Sequence, residues 1–361
     1  MIDSAVFMLY NHFEVKRKVL EFGKLMKNAT IKDIAKIANV SYASVSRALS
    51  GSPGVSNETR NLVLKICEEL GYTPNYMARS MVTKATKLIG LIVTDIANPF
   101  MSEMALNIEQ IARESGYHIM LCNSVNDIGQ EERVFKLLMG RKVDGVLIFP
   151  TSAHSHEILK KYLDRIPVVF VSENLSDFPA SYVTVDNLLG TTMGTEYLYS
   201  LGHKDILYFG RRQKRIAHRL RFDGYTSVCK KYNLTPYFFD SPFPTDAIQH
   251  GYTMAKEMFK ENPKPPYTAI FASTDSNALG LLQAADEYGL RIPEDISLLG
   301  FDNIPYTGLP KIMLSTIEQP YKLMAKAAIE MLIDKIDQPD IGYSHKVLTP
   351  RLVIRNSCRN L

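Results

Sequence analysis

From Leu88 onward, short uninterrupted apolar runs alternate with longer amphipathic stretches, and this rhythm narrows the folds open to the chain more than any other feature. Leu88–Thr94, Tyr117–Asn123, Gly145–Phe149, Val168–Val171 and Tyr182–Val185 form one series. Asp205–Phe209, Ala269–Ala272 and Ser297–Phe301 restart it. Met101–Ser115 and Gln130–Arg141 have helical periodicity, and further helices are expected around 188–200, 218–232, 246–261 and 276–288. A strand apolar along its whole length is buried on both faces, as in a parallel sheet covered by helices. The series is too long for one compact sheet, so the expected fold class is α/β with two doubly wound parallel-sheet lobes. Ligands of such sheets lie beyond the carboxyl ends of the strands. Two facing lobes would place that site in the cleft between them.

The segment ahead of this body has another character. Thr30-Ile31-Lys32-Asp33 is a capping-box pattern, and Ile31, Ile34, Ala35 and Ala38 follow at helical spacing. Asn39-Val40 ends that helix, Ser41 caps a second with Val45, Ala48 and Leu49 on its apolar face, and Gly51-Ser52-Pro53-Gly54 closes it. Ser56-Asn57-Glu58-Thr59 opens a third, with Val63, Ile66, Cys67 and Leu70 inward and Gly71 at its end. Pro74 precedes a two-turn helix over 75–81 and a polar linker. Residues 27–87 hold nine Lys or Arg against four acids, although the whole chain carries only +4. A compact basic module on a near-neutral body points to a polyanionic partner.

Several classes are set aside. With 46% hydrophobic and 22% charged residues, the chain has the balance of a globular protein of two or three domains. No apolar stretch approaches a membrane span, and the basic cluster Lys16-Arg17-Lys18 follows the short apolar run Ala5–Tyr10 rather than preceding it as in a secretory signal. Cys67, Cys122, Cys229 and Cys358 are scattered, without a CxxC pair, as in a reducing compartment. A cytoplasmic protein with no membrane partner is expected. The chain lacks GxSxG, Walker A, HExxH and GxGxxG patterns. His154-Ser155-His156 reads as a surface loop rather than a metal pair, since no third ligand is near in sequence. No enzyme activity, metal or cofactor is therefore expected.

The ordered matches Thr30-Ile31-Lys32-Asp33-Ile34-Ala35, Asn39-Val40-Ser41, Val45-Ser46-Arg47-Ala48-Leu49, Val55-Ser56-Asn57-Glu58-Thr59-Arg60, Leu70-Gly71-Tyr72 and Pro74-Asn75 with Ala78-Arg79-Ser80 strongly resemble the LacI/GalR family of transcriptional repressors. The likeness continues through Ile89-Gly90-Leu91-Ile92-Val93, Asn98-Pro99-Phe100, Val143-Asp144-Gly145-Val146, Val185-Asp186-Asn187, Gly202-His203, Ile270–Asp275 and Ser297–Asn303, spanning about residues 28–357. The resemblance implies a helix-turn-helix headpiece, a body like periplasmic binding proteins, a homodimer or tetramer, a pseudopalindromic double-stranded DNA operator and a small-molecule effector; with no heptad run after residue 357, the homodimer is expected. The expected domains are an extension at 1–27, with Met26 as an alternative start, the headpiece at 28–73, a hinge at 74–87 and the effector domain at 88–357. Lobe 1 would take 88–186 and 317–344, and lobe 2 would take 187–316 and 345–357.

A recognition helix reads base edges with residues near its N-terminus. Here those are Tyr42 and Ala43, with Arg47 one turn on. Arg can grip guanine bidentately, Tyr combines one hydrogen bond with apolar contact, and the small Ala43 suits a thymine methyl. By resemblance Thr30, Ser41, Ser44, Ser46, Ser56 and Thr59 contact phosphates, with plain capping as the competing reading for Thr30 and Ser56. Asn75, Ala78 and Met81 would enter the minor groove, Met81 standing where the family usually inserts a Leu wedge.

The resemblance makes Asp275 and Arg221 effector ligands. A helix cap is the competing role for Asp275, and an interlobe ion pair the one for Arg221. Phe100 would stack on a ring face or pack in the core. Thr151 lies beyond a strand end, and Arg215 is a further candidate. Met101 and Ser172-Glu173-Asn174 depart from the family's aromatic and Asp at those places, so sugars, nucleosides and purines all stay open as effectors. A solute receptor without a DNA role is the alternative reading.

Overall fold

The computed structural model describes residues 29–50, 53–72, 85–175, 178–212, 215–243, 247–261 and 266–361. The hinge candidates Asn75, Ala78 and Met81 lie outside them. The chain divides after Thr86 into two compact units.

In the first unit, α1 (Ile31–Ala38), α2 (Tyr42–Ser50) and α3 (Asn57–Glu69) enclose a small core of Ile34, Ile37, Val45, Ala48, Val63, Ile66 and Cys67. The capping box forms: the Asp33 amide donates to Thr30 Oγ1 at 3.4 Å, and Asp33 Oδ2 accepts from the Thr30 amide at 3.0 Å. Asn39 ends α1 in the left-handed region at φ 54, a conformation Asn tolerates well. Ser56 caps α3 by accepting from the Thr59 amide at 3.2 Å. Arg60 Nη1 donates to the Ala48 carbonyl at 3.2 Å, tying α3 to the end of α2.

The second unit contains two six-stranded sheets. In chain order its elements are β1 (Leu88–Val93), α4 (Pro99–Glu114), β2 (His118–Asn123), α5 (Ile128–Gly140), β3 (Gly145–Ile148), α6 (Ser155–Leu159), β4 (Val168–Val171) and β5 (Ser181–Val185). There follow α7 (Asn187–Ser200), β6 (Ile206–Phe209), α8 (Ile216–Lys231), β7 (Tyr237–Phe239), α9 (Ile248–Glu261), β8 (Ala269–Ala272), α10 (Asp275–Glu287), β9 (Ser297–Asp302), β10 (Ser315–Glu318), α11 (Tyr321–Asp337), β11 (His345–Leu348) and β12 (Arg351–Val353). The sheet orders are β11-β5-β4-β3-β1-β2 and β12-β10-β9-β8-β6-β7. The pairings are parallel except for β10 with β12.

Alternation along each strand serves both covering layers. Ile89, Leu91 and Val93 of β1 face a core shared with α4 and α11, whereas Ile92 faces Phe135 and Leu138 of α5. In lobe 2, α9 and α10 cover one face and α7 and α8 the other. The chain crosses between sheets near residues 186, 319 and 349.

Four strands and one long helix go beyond the sequence reading: β7, β10, β11, β12 and α11. The helical signal of α11 is present, since Met324, Ala328 and Leu332 recur every fourth residue and are buried. Because β11 pairs in parallel with β5, the chain stays in the first sheet through Leu348. This corrects the expected boundary at 344/345: only the residues after Leu348 return to lobe 2.

Lobe 2 relies on close helix approach. A Cβ on Gly224 of α8 would stand 2.6 Å from the Leu188 carbonyl oxygen and 3.0 Å from Thr191 Cβ, both on α7. Backbone on one side of this contact gives little room to relax. Gly224→Ala is therefore expected to force α7 and α8 apart and to destabilise the second unit by about 1–3 kcal/mol. A urea midpoint equal to that of the wild type would refute this packing argument.

Candidate functional site

In the headpiece, α2 presents one apolar and one polar side. Val45 and Ala48 are buried in the core, while Tyr42, 56% exposed, stands out together with Ala43, Ser46 and Arg47. Four side chains of the expected groove-facing set thus share one open surface. Arg47 Nη1 donates to the Gly54 carbonyl at 3.5 Å, a long bond easily exchanged. Ser41 Oγ accepts from the Ser44 amide at 3.0 Å and lies 2.9 Å from Ser44 Oγ, so it caps the N-terminus of α2. Ser56 and Thr59 are arranged the same way at α3, with their hydroxyl oxygens 3.0 Å apart. The Thr30 hydroxyl donates to Asp33 Oδ2 at 2.6 Å. That bond, with the one from the Thr30 amide, holds the Asp33 carboxyl below its ordinary value. Capping is thus a role Thr30, Ser41 and Ser56 fill in the protein itself.

In the body, a narrow cleft of about 20 Å³ opens at the carboxyl ends of the strands of both sheets, the place where ligands of such sheets bind. Thr94, Asp95, Asn98 and Phe100 line it from the loop after β1 and the start of α4, Ser172 from the end of β4, and Arg215, Arg221, Thr274 and Asp302 from lobe 2. Asn98 shapes the first wall: its Oδ1 accepts from the Phe100 amide at 2.9 Å, and Pro99 occupies the first helical position. Phe100 is buried in the core of lobe 1. It lines the cleft, and its ring packs on Tyr321 with centroids 5.6 Å apart.

Arg221 organises the floor. Its Nε donates to Asn187 Oδ1 at 2.8 Å, Nη1 to the Ser273 carbonyl at 2.6 Å and Nη2 to Asp302 Oδ1 at 3.4 Å. The guanidinium also lies 3.7 Å from the centre of the Phe301 ring. Its ion pair is with Asp302 of the same lobe. Gln319 Nε2 donates to the same Asp302 oxygen at 2.7 Å. Asp302 holds φ 127 and Ser172 φ 62, so two non-glycine residues of the cleft wall occupy backbone regions that favour glycine. Such strain gathers at functional sites.

Two expected ligands are placed elsewhere. Asp275 is fully buried and does not line the cleft. Its Oδ1 accepts from Thr316 Oγ1 at 2.6 Å and its Oδ2 from the Ile304 amide at 2.9 Å, so it joins α10 to β10 and to the turn after β9. It is not the helix cap either, because Thr274 takes that place by accepting from the Asn277 amide at 3.2 Å. Thr151 is also behind the wall. Its hydroxyl lies 2.9 Å from Ser124 Oγ, and its amide donates to buried Glu131 at 2.7 Å. Sequence reasoning passed over Asp302, although this residue stands within the matched run Ser297–Asn303. It also passed over Asp95, Asn126 and Thr274, whose only signal is their position just after strands.

Glu173 lies just behind the cleft wall, 1% exposed. Its Oε1 accepts from the Ala217 amide at 3.1 Å. Burial pushes its carboxyl up to about 7, with the Arg215 charge and backbone donors opposing. The two histidines of the loop reading face different neighbours: His154 Nδ1 is 3.3 Å from Glu157, and His156 packs on the Phe178 ring at 4.5 Å. No helix among the described residues is long and apolar enough to cross a membrane.

Residues 30–75 match the model of bacterial regulatory proteins of the lacI family, and residues 195–358 match a periplasmic binding protein-like domain. The chain is 32% identical over 337 residues to the ribose operon repressor of Haemophilus influenzae, covering 92% of this chain and 99% of that one. Against the repressor CytR of Escherichia coli K12 it is also 32% identical over 337 residues, with 92% and 97% covered. Among solved structures, the lac repressor dimer bound to operator and the anti-inducer ONPF has a TM-score of 0.81 at 25% identity, covering 92% of this chain and all of that one. A LacI-family regulator from Enterococcus faecium with bound ribose has a TM-score of 0.67 at 28% identity, covering 76% and 99%. These relatives are transcriptional regulators, and a headpiece match rules against a bare solute receptor. With both its small helical unit and its two-lobed body accounted for along nine-tenths of its length, the chain belongs to the lacI family of bacterial regulatory proteins and is a DNA-binding transcriptional regulator.

Proposed function

We propose that this protein is a cytoplasmic, dimeric repressor that reads a pseudopalindromic operator with α2 and releases or retains it according to a sugar or nucleoside bound in the interlobe cleft. The observation that carries the first half is the two-sided α2, with Val45 and Ala48 inward and Tyr42, Ala43, Ser46 and Arg47 outward. An exposed helix face of this kind at the start of a recognition helix reaches base edges in the major groove. Arg47 reads guanine, Tyr42 and Ala43 supply the neighbouring contacts, and the hydroxyls at the helix starts hold phosphates.

The charge balance of the cleft supports the second half. Arg215 and Arg221 are matched by Asp95 and Asp302, so the wall suits an uncharged ligand rich in hydroxyls. The ribose in the Enterococcus faecium regulator and the ribose operon repressor among the relatives make ribose and ribonucleosides the first ligands to try. In this reading Asp302 accepts from ligand hydroxyls, Arg221 donates to them, and Phe100 offers a ring face. The operator-bound lac repressor dimer supports a homodimer here. So does a broad groove of about 830 Å³ on lobe 2, bordered by half-exposed Tyr306 and Leu309. Effector binding shifts the population of lobe arrangements, and the hinge passes that bias to two headpieces.

On an operator recovered by selection from random duplexes, Arg47→Ala is expected to cost about 1–3 kcal/mol per half-site and to relax preference at one base pair. Equal affinity and an unchanged sequence preference in gel-shift titration would sink the base-reading role.

For the cleft, Asp302→Asn is expected to weaken binding of the effector found by thermal-shift screening, ribose first, by about ten- to a hundredfold. Asp275→Asn should leave that affinity unchanged. Its signature is in stability. Burial, and after it the Asp302 charge, push Asp275 up to about 7, against about 3.9 for an unfolded Asp. The folded chain therefore holds the proton more tightly, and this group lowers stability as pH rises between those values. Asp275→Asn should accordingly lose less stability than the wild type between pH 5.5 and pH 8. The opposite pattern, with effector affinity lost in Asp275→Asn and kept in Asp302→Asn, would reverse the assignment.

A further inference from the structure

The first turn of a helix leaves amide donors that need acceptors, and α8 does not supply its own. Arg215, its N-cap residue, makes no side-chain capping bond. The acceptor comes from the other lobe. Glu173 follows β4, the chain turning toward lobe 2 through Ser172 at φ 62, and its Oε1 takes the Ala217 amide at 3.1 Å. The Ile216 amide also acts on this carboxyl, favouring its charged form. The pair bridges lobes that the chain itself joins only near residues 186, 319 and 349. Helix α8 in turn carries Arg215 and Arg221 into the cleft.

We propose that Glu173 is a positioning residue that latches the cleft shut, capping α8 from the opposite lobe, so that opening the cleft uncaps the helix and closing it over an effector restores the cap. The proposal rests on the reading of the cleft as the effector site. The arrangement makes closure cooperative with the placement of the two arginines, since the same turn of backbone that receives Glu173 leads into Arg221. A carboxylate at a helix N-terminus is favourable both as a cap and through the helix dipole. Here it is 1% exposed and reached only while the lobes are together.

The test needs no ligand. Amide hydrogen exchange is followed on the full-length wild type, Glu173→Ala and Glu173→Gln. A lost cap of ordinary strength predicts about tenfold faster exchange at Ile216 and Ala217 in Glu173→Ala. A lost latch predicts more: the Phe100 and Met101 amides on the facing wall speed up as well, while those of β3 and β8 inside the sheets do not. Glu173→Gln, whose amide oxygen still accepts, falls between and stands in if the Ala variant does not fold. Faster exchange at 216–217 alone would reduce Glu173 to a local cap, and a uniform rise would mark general destabilisation. Either of these, or no change, overturns the latch. Loss of ribose or nucleoside binding is scored separately on Asp302→Asn, so a failure of the effector reading is distinguishable from a failure of the latch.

Discussion

A single guanidinium sets the geometry on which the cleft between the lobes depends. Arg221 is 4% exposed, and a charge so placed costs several kcal/mol unless its donors are met. Its donors are met by Asn187 at the start of α7, by the Ser273 carbonyl just past β8 and by Asp302 at the end of β9. Each acceptor ends or begins a different element, so satisfying one side chain fixes the mutual position of three strand and helix ends. Removing either member of the Arg221–Asp302 pair leaves the other charge buried without its counterion.

The bonds around Asp302 also sustain an unfavourable backbone. Asp302 and its neighbour Asn303 hold φ 127 and φ 60, conformations that cost about 1–3 kcal/mol each for residues other than glycine. The Gln319 amide, the Arg221 guanidinium and the Tyr321 hydroxyl, which donates to the Asp302 carbonyl at 2.9 Å, converge there. Gln319 and Tyr321 flank the second passage between lobes. Asp302, which lines the cleft, is thus bonded to the segment that carries the chain from one lobe to the other.

Much of this organisation is legible in the sequence because local chemistry and tertiary structure agree. Thr30 and Asp33 read as a capping box and form one. The apolar runs from Leu88 to Phe301 read as buried parallel strands and pair in parallel, although β2, at the edge of its sheet, is largely uncovered. Arg221, Arg215 and Phe100 are reached from motif and position alone. The choice between Asp275 and Asp302 is not legible in that way. Both follow neighbouring strands of lobe 2, and which carboxylate faces the cleft is decided by Thr316 and the Ile304 amide, some thirty to forty positions away in sequence. Thr151 failed for the same reason, since Ser124 and Glu131 hold it from other loops. The edge strands β7, β11 and β12 are short, and β11 is mostly exposed, so they lack the uninterrupted apolar run that revealed the central strands. Their pairing partners, rather than their composition, make them strands.

The repeated passage of the chain between sheets has a consequence for the order in which the molecule becomes competent during synthesis. The three-helix unit is complete once residue 72 has emerged from the ribosome. Lobe 1 lacks α11 and its edge strand until residue 348 is made, and lobe 2 lacks β12 until residue 353. Domains fold as their residues become available, at about 5–20 residues per second. For many seconds a nascent chain would therefore display a finished reading head while the machinery that governs it is still in pieces. Lobe 1 is finished only a few residues ahead of lobe 2, and the cleft between them forms only when both are complete.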